Sequence, residues 1–61
     1  MNDIANLIRL THPSATQDVL DAEQALYDAQ DFLLSMLLND DTFNGYSEEE
    51  LWDAIKEITN N

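Results

Sequence analysis

Apolar residues recur along this chain in steps of three and four, and nowhere alternate in steps of two. The spacing therefore predicts helices and no strand. Ile4, Leu7, Ile8 and Leu10 mark a short first helix. Asn2 or Asp3 can cap it, and it ends before His12-Pro13, because the residue preceding a proline avoids the helical region. The second pattern is longer. Ser14 followed by Gln17 fits a capping box, and helical spacing then runs to about Leu38, about 24 residues and roughly 36 Å at 1.5 Å per residue. Val19, Ala22, Leu26, Ala29, Leu33 and Met36 form one stripe of this helix. Leu20, Tyr27, Leu34 and Leu38 form another, about 100° away, with Glu23 and Gln30 between the two. A helix with two apolar stripes touches two neighbours. One stripe is expected against the first and third helices, and the other is available to a second copy of the chain, giving a homodimer.

A polar loop from Asn39 to Tyr46 follows, with turn chemistry at Asn44-Gly45. The third helix has the strongest start signal in the chain. Ser47 is its N-cap and Glu50 the N3 partner of a capping box, while Tyr46 and Leu51 occupy the N′ and N4 positions of a hydrophobic staple. Glu48, Glu49 and Glu50 fill its first turn, where the helix dipole favours negative charge. Leu51, Trp52, Ala54, Ile55 and Ile58 form its apolar face. The expected fold is an all-α, compact three-helix domain over 1–61, with a long central helix, a short N-terminal helix and a capped C-terminal helix. Its expected core is Ile4, Leu7, Ile8, Val19, Leu26, Leu33, Met36, Leu37, Leu51, Trp52, Ile55 and Ile58.

Size and composition narrow the means of stabilisation. A chain of 61 residues buries only about 60% of the surface its unfolded form exposes. Such domains usually add disulfides, a metal or a partner subunit. The absence of cysteine removes the disulfide route and thiolate metal sites. The densest apolar run, Phe32 to Leu38, is far below the ~20 residues of a membrane span, and Met1 to Leu10 lacks the positive n-region of a signal peptide. These features lead us to expect a cytoplasmic protein with no membrane partner; an anionic membrane surface would repel it.

Charge changes the picture most. Thirteen acids against two bases give a formal net charge of −11, beyond the roughly 2–8 suited to a small soluble domain. Asp18, Asp21, Asp28 and Asp31 fall within one arc of the long helix. Glu49, Asp53 and Glu57 follow i, i+4, i+8 on the third, with Glu50 at the edge. Like charges at that spacing cost a few tenths of a kcal/mol per pair. Only Arg9 and Lys56 are available as partners, and Asp53–Lys56 is the pairing the spacing allows. Spread along ~36 Å of helix, the net charge averages one per ~3.3 Å, close to the ~3.4 Å of a single nucleic-acid strand. Two bases cannot neutralise several phosphates, so direct nucleic-acid binding is not expected.

Other chemistries find little support. Asp40, Thr42, Asn44 and Gly45 occupy positions 1, 3, 5 and 6 of a calcium-loop frame. Position 12, which requires a bidentate Glu, is Leu51, so no metal is expected. One histidine and no cysteine leave no nucleophile–base–orienter set, and no catalytic residue, cofactor or enzymatic activity is expected. His12 reads as a turn residue. Phe32 and Trp52 lie on apolar helix faces and read as core, whereas Phe43, in the loop, reads as an exposed binding anchor.

A small, cysteine-free, acidic helical chain with Asp/Glu stripes over Asp18 to Asp31 and Glu48 to Glu57 resembles the DNA-mimic inhibitors carried by phages and mobile elements, several anti-CRISPR proteins among them. The resemblance lies in charge pattern and includes no sequence motif. It implies a protein that occupies the PAM- or DNA-binding groove of a Cas effector subunit, or blocks a nuclease, glycosylase or nucleoid protein, in the host cytoplasm. Members of that class share no common fold, so it implies nothing about topology. The residues expected to meet a basic nucleic-acid-binding partner are Asp18, Asp21, Asp28, Asp31, Glu49, Glu50, Asp53 and Glu57. The alternative is a small structural or adaptor protein that oligomerises or docks a partner through the apolar stripes of the central helix, its acids serving solubility.

Overall fold

The break of the long central pattern into two helices decides the architecture. In a computed structural model, which describes residues 3–60, α1 spans Asp3–Thr11, α2 Pro13–Asp21, α3 Leu26–Leu38 and α4 Glu48–Thr59, with a 3₁₀ turn at Asp41–Phe43. The described residues contain no strand, and the protein is all-α. The helix expected over Ser14–Leu38 is two helices, joined by an extended Ala22 (φ −71°, ψ 124°) and a short bend to Ala25. No residue from Ala22 to Ala25 forbids a helix. Packing imposes the break. A straight helix of ~36 Å would outrun the 31 Å long axis of the molecule. Folded back, α2 lies against α3, and both lie against α4. The Cα radius of gyration, 10.4 Å, matches the ~10.5 Å of a compact chain this long.

The start of α2 also differs from the expected capping box. Pro13 takes the first helical position and His12 is the N-cap, with no side-chain cap bond. Proline's fixed φ suits that position, where the missing N–H has no intrahelical partner to lose. Ser14 therefore lies inside the first turn and caps nothing. His12 also continues the ladder of α1, donating from its backbone N to the Ile8 carbonyl (2.8 Å), so α1 and α2 turn on a single residue. The Asn2 cap of α1 falls outside the described residues.

α4 begins as its sequence demands. Ser47 Oγ accepts from the Glu50 backbone N–H, and Glu50 Oε1 accepts from that of Ser47, both at 3.2 Å.

The core gathers Ile8, Val19, Leu33, Leu37, Phe43, Leu51, Ile55 and Ile58, with Ala5, Ala15, Leu34 and Ala54 filling the close approaches between helices. Ile4, Leu7, Leu26, Met36 and Trp52, also expected in the core, are half-buried against it. Two aromatic residues exchange their expected places. Phe43 is 2% exposed and Phe32 65% exposed. The 3₁₀ turn carries Phe43 inward between His12 (ring centroids 6.0 Å apart) and Tyr46 (6.3 Å). Burying a phenylalanine contributes about 1.5–3 kcal/mol, which favours the loop conformation that hides it. Phe32 projects from the side of α3 away from its buried residues Gln30, Leu33 and Leu37.

Polar groups inside are few. Gln30, 9% exposed, donates to Thr59 Oγ1 (3.1 Å), which donates to the Ile55 carbonyl (3.0 Å). This relay ties α3 to the last turn of α4. Thr16 Oγ1 is buried with no hydrogen-bond partner. A buried unsatisfied hydroxyl costs about 1–3 kcal/mol, so Thr16→Val should raise stability by about 1 kcal/mol and the melting temperature by several degrees. Ser47→Ala should lower stability by about 1 kcal/mol through loss of the cap. Thermal melts of both variants beside the parent check the two signs.

Candidate functional site

The acids of α3 and α4 converge on one cleft. Helical geometry explains why. At 100° per residue, Gln30, Leu33 and Leu37 set the buried face of α3, and Tyr27, Asp31 and Leu34 occupy the flank facing α4. On α4 the buried face is Leu51, Ala54, Ile55 and Ile58, and the flank facing α3 carries Glu48, Glu49 and Trp52. These six residues line an open surface cleft of about 430 Å³. Tyr27 and Trp52 meet edge to face across it, ring centroids 5.9 Å apart and planes at 75°. Asp53 and Glu57 continue the acidic arc of α4 away from the cleft, and Asp28 continues that of α3; all three are exposed.

Of the residues expected to meet a partner, the structure brings Asp31 and Glu49 together across this cleft. It separates the four aspartates expected in one arc, because the helix that would align them is broken. Asp18 and Asp21 stand on α2, outside the cleft, and Asp21 accepts from Gln17 Nε2 (2.9 Å). Glu50 is committed to its capping box. Glu48, a first-turn residue not counted among the contacts, lines the cleft. The spacing of Glu48, Trp52 and Lys56 along one edge of α4 is the sequence signal that points to it.

Little neutralises this surface. Among the described residues, no Lys or Arg pairs with an acid, and the one contact of this kind is between His12 Nε2 and Asp40 Oδ2 (2.9 Å). The expected Asp53–Lys56 pairing does not form. Lys56 Nζ instead lies 5.6 Å from the centroid of the Trp52 ring, because the indole packed one turn earlier offers its face to the ammonium. Arg9 donates to Asn6 Oδ1 (3.0 Å). Eleven net negative charges along the 31 Å long axis average one per about 2.8 Å, between the ~1.7 Å of duplex DNA and the ~3.4 Å of a single strand.

Asp40 does a different job. Its Oδ1 accepts from the Thr42 backbone N–H (2.9 Å) and its Oδ2 pairs with His12. The Thr42 bond, and secondly the His12 contact, hold its carboxyl below the usual carboxylate range. With both oxygens engaged, Asp40 organises the 3₁₀ turn that carries Phe43 inward, and joins it to the α1–α2 corner. No helix among the described residues is long and apolar enough to cross a membrane.

A carboxylate whose pKa falls on folding stabilises the fold above its unfolded value, and that contribution is lost as pH drops through the lower folded value. Asp40→Asn should therefore be less stable than the parent at pH 7, and the gap should narrow as pH falls below the ~3.9 of an unperturbed aspartate. Urea unfolding at pH 7 and at low pH checks this; a gap of unchanged size at low pH would show that the charge on Asp40 contributes nothing.

No family model, no curated protein and no solved structure matches this chain.

Proposed function

We propose that the protein is a non-enzymatic inhibitor that presents its carboxylates, as an imitation of nucleic-acid phosphates, to the basic DNA- or RNA-binding groove of a protein such as a Cas effector subunit. One observation carries this reading. Of thirteen acids, ten stand on the four α-helices, and among the described residues neither Lys nor Arg forms an ion pair with any acid. A surface selected for stability would mix signs, because like charges at i, i+4 oppose the helix. Here the repulsion is kept, and the charge spacing falls within the range of nucleic acid. Such a surface also steers encounter with a basic groove. Asp28, Asp31, Glu49, Asp53 and Glu57 form the main contact, around and beyond the α3–α4 cleft. Asp18 and Asp21 form a second patch on α2.

The adaptor reading draws on a different observation. Leu20, Tyr27, Phe32 and Leu38 are 48%, 68%, 65% and 52% exposed, apolar surface that the core leaves uncovered. In that reading Phe32 anchors a partner and the acids only keep the protein dispersed.

Salt separates the two. Screening relieves internal repulsion, so the free protein should melt at higher temperature in 0.5 M than in 0.05 M salt. The complex should respond in the opposite sense, its affinity falling about tenfold or more over the same range. The partner, captured from lysate on the tagged protein, should also be released by duplex DNA. Capture should be lost with Asp28→Lys, Asp31→Lys and Asp53→Lys combined, and kept with Phe32→Ala. A partner that ignores salt and DNA, survives the triple reversal and is lost with Phe32→Ala would replace the mimic reading with the adaptor one.

A further inference from the structure

The α3–α4 cleft combines features that a bare acidic surface does not need. Its wall is aromatic and apolar, made by Tyr27, Trp52 and Leu34, and its rim is anionic, made by Asp31, Glu48 and Glu49. None of the three carboxylates has a hydrogen-bond or ion-pair partner among the described residues. Tyr27 is 68% exposed although it stands edge-on to Trp52, so its ring is held in place by its neighbour with most of its surface open. Lys56, which does not line the cleft, already holds an ammonium 5.6 Å from the centroid of the Trp52 ring, so the exposed Tyr27 ring is the aromatic face open to a second cation. The volume, about 430 Å³, is at the small end of ligand sites and accommodates one long side chain.

We propose that this cleft receives a single arginine side chain of the basic partner, its guanidinium stacked on the exposed Tyr27 ring beside Trp52 and held by carboxylates of Asp31, Glu48 and Glu49. The inference rests on the mimic reading and adds to it a specific anchor. The occupant follows from charge complementarity. Three carboxylates around an aromatic wall exclude an anionic or purely apolar segment, because either would leave buried charge unpaired. Arginine fits better than lysine. Its planar guanidinium stacks on aromatic rings, forks onto carboxylates and sheds water more readily than an ammonium. A surface of phosphates offers no such wall, so the protein would exceed the nucleic acid it imitates by gripping an arginine that DNA meets only through charge.

Trp52 is the sole tryptophan, so its fluorescence reports on the cleft directly. The probes are capped hexa-arginine and hexa-lysine peptides of equal charge, each labelled for anisotropy, titrated at 50 mM salt into the full chain and into Tyr27→Ala and Tyr27→Phe. Circular dichroism melts establish that the variants fold. Hexa-arginine should bind the parent several-fold more tightly than hexa-lysine and change Trp52 emission saturably. Tyr27→Ala should weaken the arginine peptide about fivefold, the loss of one stacked ring, and Tyr27→Phe should retain the affinity. If both peptides bind equally, Trp52 is silent and Tyr27→Ala changes nothing, the cleft is not the anchor and the mimic reading stands without it. If neither peptide binds, both fail. A concentration-dependent dimer that Tyr27→Ala dissociates would assign the cleft to a second copy and overturn the proposal.

Discussion

Charge cannot hold this protein together, and the way its helices are joined follows from that constraint. With two basic residues against thirteen acids, neighbouring helices meet with the same sign of charge outside and must be joined by what they bury. Val19 from α2, Leu33 and Leu37 from α3, and Leu51, Ile55 and Ile58 from α4 are almost completely hidden. Each contributes about 1.5–3 kcal/mol by leaving water. A single long helix would bury its apolar stripes against too few neighbours. Two shorter ones, doubled back, bury them against each other and against α4. The same demand draws Phe43 out of a polar loop and into the core.

Backbone capping assists where charge repels. The Ser47–Glu50 box starts α4 in a stretch of three consecutive glutamates, whose mutual repulsion is offset by the positive end of the helix dipole. One of the three is thereby turned back onto the backbone, while Glu48 and Glu49 are left to the cleft. Asp40 makes the corresponding arrangement in the loop, spending its charge on Thr42 and His12. The acids thus divide into two kinds. Glu50 and Asp40 shape the chain locally and Asp21 meets Gln17 on its own helix, whereas the others have no side-chain partner among the described residues.

Local patterns were legible in the sequence, and long-range compensation was not. The α4 cap and apolar face could be read residue by residue because a capping box and a 3–4 spacing are complete within twelve residues. The end of α1 was equally readable from Pro13. The break at Ala22–Ala25 was not, because alanine, glutamate and glutamine all favour helix and only the packing of α2 on α3 opposes it. Phe32 and Phe43 exchanged places for related reasons. Helical periodicity put Phe32 beside apolar neighbours without fixing where the core lies, and the turn that swings Phe43 inward has no periodic signature. Gln30 and Thr59, 29 positions apart, form a buried relay that no local pattern announces. Of the site, the acids were visible as composition. Their meeting around Tyr27 and Trp52 depends on how α3 lies against α4, which only the packed core determines.

The broken helix bears on function as well as on folding. A continuous helix would have aligned its aspartates in one row, a linear charge array without depth. Folding the array back gives up that row and creates a junction between α3 and α4, where two aromatic rings stand among carboxylates. Linear charge attracts any basic groove, with an affinity that falls as salt rises, and discriminates poorly among them. A cleft with an aromatic wall adds geometric demands that only some cations meet, since stacking and bidentate bonding require a planar group correctly presented. In the proposed reading, the packing that forced four short helices on the chain thereby supplies a cleft at which charge alone is not the whole of recognition.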